Sequence, residues 1–452
     1  MPIKKPTADN ARYAASLIVR QVLEEGAYTN IALNKYLRAH RLNDLDRRFM
    51  TELVYATVKA AGTIDWYLRQ CVSRPPEKID GALLSLLRVS ICQLLYMDRI
   101  PDAAACSEAV SLARSISHEG GAKFVNGVLR GLLRKKQAGE FVFPDRKEDE
   151  AGYLALKYFH PRWLVKKWLG QFGSEATEKL CAFNNTAAPV CLRVNTLAVS
   201  RGELLERLIS AGAEARPSRW SGDGIVCGKL PGLEKIFAGM ENAFYVQDES
   251  SMLVADILDP QPGETVIDMC SAPGGKTTHL AQKMLNRGRI IAGDVHEHKI
   301  KLIEENARRL GIGIIEAQLR DASVFDETLA GTADRVLVDA PCSGLGVLRR
   351  RAESRWRRKK SDLKVFPPLQ LAILNNAARY VKKGGRLVYS TCTIEGAENH
   401  YVVEEFLKLN PEWERREITH PLTGEKIVEL QLLPQRDGTD GFYICALQRR
   451  SE

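Results

Sequence analysis

The stretch ETVIDMCSAPGGKTTHLAQKML, residues 264–285, decides how the C-terminal half of the chain folds. Thr265–Asp268 is an apolar, β-branched run closed by an acid, which reads as a buried strand. Gly274 and Gly275 make a tight turn, and Lys276 leads into apolar residues at helical spacing. Paired glycines let a ligand come close to the backbone, and a helix N-terminus presents unsatisfied N–H groups. Strand, glycine turn and helix in this order begin a β–α–β unit.

The pattern repeats towards the C-terminus. GRIIAGD (288–294), DRVLVDA (334–340), RLVYSTC (386–392) and GFYICALQR (441–449) read as strands. HKIKLIEENARRLG (298–311), PLQLAILNNAARYVKKGG (368–385) and NHYVVEEFLKLN (399–410) read as the intervening helices. Such alternation predicts a Rossmann-like α/β domain with a mostly parallel sheet over 241–452. Ligands of these sheets bind at the carboxyl ends of the strands. Those ends carry Asp268, Cys270, Asp294, Asp339, Cys342, Thr391 and Cys392.

Towards the N-terminus, residues 141–240 mix helix and strand. PVCLRVNTL alternates like a strand, and SRGELLERLISAG carries a Ser200 cap with Glu203 three residues on. This reads as a linker followed by a small α+β module. Residues 1–140 hold four segments with apolar residues at i, i+3, i+4 and i+7, and are expected to form an all-α bundle. The most apolar run, ALLSLLRVSICQLLY (82–96), is interrupted by Arg88 and is too short to span a bilayer.

The chain has 452 residues, a net charge of +9 and ten cysteines, none in a C-x-x-C pair. This composition points to a soluble, cytoplasmic protein with free thiols, no membrane contact and no metal, and the expected oligomeric state is a monomer. The segment RRRAESRWRRKK (349–360) contributes +7 of the net charge. Arg349, Arg350, Arg351, Arg355, Arg357, Arg358, Lys359 and Lys360, with Trp356 among them, are candidate RNA contacts, because cations interleaved with an aromatic ring suit backbone phosphates and stacked bases.

The glycine loop admits two readings. Gly275-Lys276-Thr277 fits the end of a P-loop, but Cys270 stands where its first glycine belongs. The alternative is a nucleoside cofactor. Asp294 ends the next strand, 20 residues after Gly274, where an acid can hold ribose hydroxyls. No G-x-G-x-x-G is present, which disfavours a dinucleotide and favours S-adenosyl-L-methionine. A third reading is a non-catalytic RNA-binding protein in which the thiols are only packing.

If a methyl group is donated, DAPCSGLG (339–346) restricts the acceptor. Carbon 5 of cytosine is a poor nucleophile until a thiolate adds to carbon 6, and an acid at the base edge stabilises the adduct. Asp339 is placed for that role, and Cys342 and Cys392 are both candidates for the thiol. Spacing does not say which one attacks.

Together, DMCSAPGGKTTHLA, VDAPCSGLGVLRR, YSTCTIEGAEN and VQDESSMLVADILDPQPGE resemble the Sun (Fmu-type, RsmB-like) family of 16S rRNA cytosine-C5 methyltransferases. KFVNGVLRGLLR resembles a NusB-type RNA-binding domain. The resemblance implies Cys392 as nucleophile and Cys342 in product release. It also implies cofactor contacts at Cys270, Ser271, Ala272, Pro273, Gly274, Gly275, Lys276, Asp294, Asp321 and Asp339. The implied substrate is 16S rRNA, free or in an assembling small subunit. His296 and His298 stand where acids or polar residues are more usual in the family.

Overall fold

The computed structural model describes residues 10–228 and 239–450. The opening stretch 1–9, part of the small module (229–238) and the last two residues lie outside them. The chain divides into two compact units, Met1–Thr186 with Leu348–Lys359, and Ala187–Val347 with Lys360–Glu452.

The first unit is helical. Its leading helices are Ala11–Leu23, Thr29–Ala39, Asp44–Arg69, Gly81–Tyr96, Asp102–Ile116 and Glu119–Gln137. Several start where a side chain caps the free amides: Asn10 accepts from Tyr13, Asn43 from Asp46, and Asp80 from Ala82 and Leu83. Their apolar stripes meet in one core containing Ile18, Leu53, Val58, Leu86, Leu87 and Leu129. Arg88, the interruption in the apolar run, reaches Asp65 with two hydrogen bonds of 2.9 Å each. Helices Glu150–Lys157, Arg162–Phe172 and Ser174–Phe183, grouped by sequence with the small module, cluster with this unit instead. Among the described residues no helix is long and apolar enough to cross a membrane.

The second unit holds two larger sheets. Strands β1 (Val190–Val194), β2 (Ala215–Pro217), β3 (Gly224–Cys227) and β4 (Phe244–Val246) form an antiparallel sheet in the order β2-β3-β1-β4. Helix Arg201–Ser210 accompanies it, and Ser200 accepts from the Glu203 amide at 3.2 Å, as the capping pattern predicts.

The main sheet contains β5 (Thr265–Asp268), β6 (Arg289–Asp294), β7 (Ile315–Leu319), β8 (Ala333–Asp339) and β9 (Val381–Thr391). Beyond them come β10 (Trp413–Arg415), a small ribbon of β11 (Ile418–Thr419) and β12 (Lys426–Ile427), then β13 (Leu430–Leu432) and β14 (Phe442–Arg449). Its order is β7-β6-β5-β8-β9-β14-β10. The five strands from β7 to β9 are parallel, and β14 runs against β9. Neighbouring residues on one strand feed opposite cores: Ile267, Val336 and Tyr389 pack on one face, Val266, Leu337 and Val388 on the other. Both faces are therefore buried, which is why these strands read as continuous apolar runs rather than alternating ones. Strand order reverses between β5 and β8, which opens a crevice at their carboxyl ends.

Candidate active site

The crevice is built from the ends of β5, β6, β8 and β9. After β5, residues 269–274 turn into helix Gly275–Lys283. Gly274 has φ +100°, a conformation costly for any other residue, and a Cβ there would lie 3.3 Å from the Ile303 backbone. The helix has no side-chain cap, so its first amides face the crevice unspent by the protein's own caps. Ser271 ties the turn down: its hydroxyl donates to the Asp268 carbonyl at 2.7 Å and its amide to the Gly293 carbonyl at 2.9 Å, while its own carbonyl accepts from the Gly274 amide at 2.8 Å and from Thr277 Oγ1 at 3.4 Å.

Asp268 is fully buried beneath this turn. One carboxylate oxygen accepts from Thr277 Oγ1 at 2.7 Å, and the other has no partner among the described atoms. Burial, with the nearby Asp339 charge, pushes its pKa up to about 7. Because the folded value exceeds the unfolded one, stability is greatest below the unfolded pKa and falls as pH rises from about 4 to about 7. The Asp268→Asn protein is therefore expected to gain stability over the unaltered protein at pH 8 relative to pH 5, by about 2.7 kcal/mol at most, the two units between pH 5 and about 7 at ~1.4 kcal/mol each. Denaturant melts at both pH values check this, and an equal difference at the two would refute it.

At the end of β8, Asp339 receives Lys276 Nζ at 2.7 Å and Ser390 Oγ at 2.9 Å. Lys276 also lies over the Phe442 ring, 5.0 Å from its centroid. One lysine thus joins the glycine-turn helix to the acid of DAPC. Beyond Asp339 the chain brings Cys342 Sγ to 3.3 Å from Cys392 Sγ, just past the end of β9. Both thiols are half-buried and unoxidised. The neighbouring sulfur and burial hold Cys342 well above the ordinary thiol range.

The two cysteine loops are laced together by residues that motif reading missed. Ser343 and Thr393, each following a cysteine, share a hydroxyl–hydroxyl bond of 2.8 Å. Buried Glu398 accepts from the Ser343 amide at 2.8 Å and from Gln370 Nε2 at 3.2 Å. Gly346 and Gly441 pack backbone to backbone, with the Gly441 amide donating to the Gly346 carbonyl at 2.8 Å. A Cβ at Gly346 would collide with the Gly441 carbonyl. The acids in EGAEN were the available signal for Glu398, but only the fold turns that residue inward.

Fully buried Arg193 on β1 is the other missed element. It donates to Thr278 Oγ1 and Gln282 Oε1, both at 2.9 Å, and to the Gly275 carbonyl, and it lies over the Tyr245 ring. Burial pushes its pKa down to about 9. The small sheet thereby grips the helix that begins at the glycine turn. Asp223 and Asp256 gather around His279 of the same helix as cation ligands would, but the Lys283 ammonium lies 2.7 Å and 2.6 Å from the two carboxylates.

Asp294 closes β6, with one oxygen accepting from the His296 amide at 3.1 Å and lying 3.4 Å from Lys299 Nζ. His296 and His298 are exposed and stack with centroids 5.6 Å apart. Asp321 is exposed, and it lines one small cavity together with Asp268, Met269, Gly293 and Ala322.

The basic run is packed within its own unit. Its residues 349–359 belong to the helical unit, where most are engaged by that unit's own groups. Arg355 is fully buried and donates to the carbonyls of Phe159, at 2.8 Å, and Asn184, at 3.2 Å. Trp356 donates its indole N–H to the Val58 carbonyl at 2.7 Å, and Arg357 donates to Val22 and Ala27. Arg349 stacks on Phe183, and Arg351 lies over Tyr28. The expectation of a uniform RNA-facing patch is therefore corrected for Arg355, because helix-end carbonyls have taken up its donors. Arg351, Lys359 and Lys360 remain exposed.

A glycine turn under a helix N-terminus, acids at successive strand ends and paired thiols beside them define a methyltransferase-type α/β enzyme. Comparison with known families agrees. Residues 255–448 match the model described as 16S rRNA methyltransferase RsmB/F, residues 9–134 the NusB family, and residues 160–229 an RsmF/B-like ferredoxin-like domain. A probable ribosomal RNA small subunit methyltransferase B of Bacillus subtilis is 40% identical over 433 residues, covering 94% of this chain and 95% of that one. Ribosomal RNA small subunit methyltransferase B of Yersinia enterocolitica is 32% identical, covering 98% and 99%. The crystal structure of PH0851 superposes with a TM-score of 0.86 at 30% identity, covering 99% of this chain and all of its own. That of NSun6 from Pyrococcus horikoshii with SFG gives 0.57 at 25% identity over 65% of this chain and 99% of its own. The chain belongs to the RsmB/F family of 16S rRNA methyltransferases.

Proposed function

We propose that the protein transfers a methyl group from S-adenosyl-L-methionine to carbon 5 of a cytosine in 16S rRNA through a covalent cysteine–cytosine adduct. The observation that carries this reading is the 3.3 Å approach of Cys342 and Cys392 beside the Lys276–Asp339 pair. An exocyclic-amine methyltransferase has no use for two such thiols. The P-loop alternative is disfavoured by the same pair, since Lys276 is engaged with a carboxylate rather than left for phosphates.

The residues present fit the cofactor. The glycine turn gives close backbone approach, the uncapped helix N-terminus offers amides, and Asp268 has a buried oxygen without a partner. Cys270–Lys276, Asp294, Asp321 and Asp339 are the assigned contacts. When bound, the cofactor supplies an electrophilic methyl group.

The chain's own residues do the rest. The target base leaves its stack to reach a half-buried thiol. Cys392 thiolate forms a bond to carbon 6, which makes carbon 5 nucleophilic. Asp339, set by Lys276 and Ser390, stabilises the base edge as charge moves into the ring. After methylation, loss of the carbon-5 proton and cleavage of the carbon 6–sulfur bond restore the aromatic ring and return the thiolate. Cys342 is assigned to that release.

Incubation with methyl-labelled cofactor and unmodified 16S rRNA, followed by 5-methylcytosine mapping, is expected to mark a cytosine. Label at an exocyclic amine, or none at all, would overturn the reading. Asp294→Ala is expected to weaken cofactor binding in calorimetry about 10- to 100-fold, the worth of a charged hydrogen bond.

A further inference from the structure

The proposed chemistry needs two neighbouring thiols that behave differently, and the following inference rests on that reading. Cys342 and Cys392 are chemically the same group, and at 3.3 Å ionisation of one opposes ionisation of the other. Their surroundings must therefore choose which keeps its proton.

The charged and titratable groups facing Cys342 come from three elements. Cys392 and Tyr389 are contributed by β9 and its end and Glu398 by the turn before helix His400–Leu409, while Asp339, at the end of β8, and Glu395 act on Tyr389 and Glu398 beside them. The Asp339 charge is offset by Lys276 at 2.7 Å. Glu398 is held by neutral donors instead: the Ser343 amide at 2.8 Å, Gln370 Nε2 at 3.2 Å and Thr393 Oγ1 at 3.5 Å. None of these donors is a cation, so although burial raises its own pKa, its charge once ionised is weakly screened.

The placement is also lopsided. The shortest bond runs to the amide directly after Cys342, whereas the residue after Cys392 is reached only by the longest. A second negative charge is therefore costlier on Cys342 than on Cys392. The causes that raise Cys342 agree: its hydrogen bond to Cys392, burial, and the Cys392 and Glu398 charges.

We propose that Glu398 is a positioning residue that keeps Cys342 protonated and so leaves Cys392 as the attacking thiolate.

The test needs no RNA. The full-length protein is alkylated with iodoacetamide across a pH series, and labelling at each cysteine is counted by mass spectrometry. In the unaltered protein, Cys392 is expected to label at lower pH than Cys342. Glu398→Gln keeps an acceptor for the Ser343 amide but no charge, and should lower the Cys342 midpoint by about one pH unit, the smaller end of a like-charge effect. Glu398→Asp keeps the charge and should retain most of the gap. An unmoved Cys342 midpoint in Glu398→Gln overturns the proposal, as do Asp and Gln variants that shift alike, since that would mark a merely structural role. Cys342 labelling first in the unaltered protein overturns it too.

The Cys392→Ala protein gives an independent reading if the Gln variant does not fold. With the partner sulfur gone, Cys342 must still titrate above the free-thiol value of about 8.5. A midpoint at that value would refute the role of Glu398. Failure of the catalytic reading itself shows elsewhere, as an RNA adduct formed by Cys392→Ala.

Discussion

Cys392→Ala is expected to abolish methyl transfer, by about 10³-fold or more, and to form no covalent complex with rRNA. Cys342→Ala is expected to do the reverse on a denaturing gel and accumulate a protein–RNA band, because the adduct forms but release is blocked. The asymmetry is what the family resemblance implies, and the proposed role of Glu398 agrees with it. Cys392 follows the last residue of β9, and Cys342 is the thiol pushed up by burial and by its neighbour. Either thiol can donate across the 3.3 Å between them; with Cys342 keeping its proton, as proposed for Glu398, Cys392 accepts and is the better nucleophile. An adduct trapped by Cys392→Ala in place of Cys342→Ala would exchange the roles. Loss of methyl transfer in both variants, with adduct in neither, would remove covalent catalysis altogether.

The strand–turn–helix at 264–285 was legible because local physics dictates it. A β-branched run, two glycines and a helical period leave few alternatives, and the parallel sheet follows from repetition of the pattern. Asp339, Cys342 and Cys392 were legible because strand ends converge in such sheets, so that residues 50 positions apart in sequence fall on one rim. What was not legible is whatever depends on the direction of a single side chain. Glu398 and Glu395 look alike in EGAEN, and only the turn at Gly396–Glu398 brings the Glu398 carboxylate to the Ser343 amide. Arg193 reads as an ordinary charged residue in a strand, yet it is fully buried, and the partners that make this tolerable come from a helix more than 80 residues away. The basic run shows the same limit most clearly. Charge density pointed outward, but the chain folds much of it back among helix-end carbonyls.

That limit leads to the second large expectation. Arg355→Ala should destabilise the helical unit by about 3 kcal/mol or more, lowering its melting transition by about 10 °C. Fully buried Arg355 donates to Phe159 O at 2.8 Å, Asn185 Oδ1 at 2.9 Å, Asn184 O at 3.2 Å and Leu348 O at 3.4 Å. Its pKa is pushed down by burial only to about 10, so the guanidinium stays charged at neutral pH. Removing it leaves buried carbonyls without donors and a void among helix ends, two costs that add. Arg355→Lys should rescue little, because one ammonium cannot reproduce a planar fork aimed at several carbonyls. Exposed Lys359 and Lys360 should behave oppositely. Their alanine variants should stay within about 0.5 kcal/mol in stability. If they meet phosphates, each should lower the slope of log affinity against log salt by about 0.7, the value per contact on single-stranded RNA. Thermal melts and salt-titrated binding on the same four proteins separate these roles. An Arg355→Ala protein that melts normally but loses RNA affinity would return Arg355 to the RNA surface.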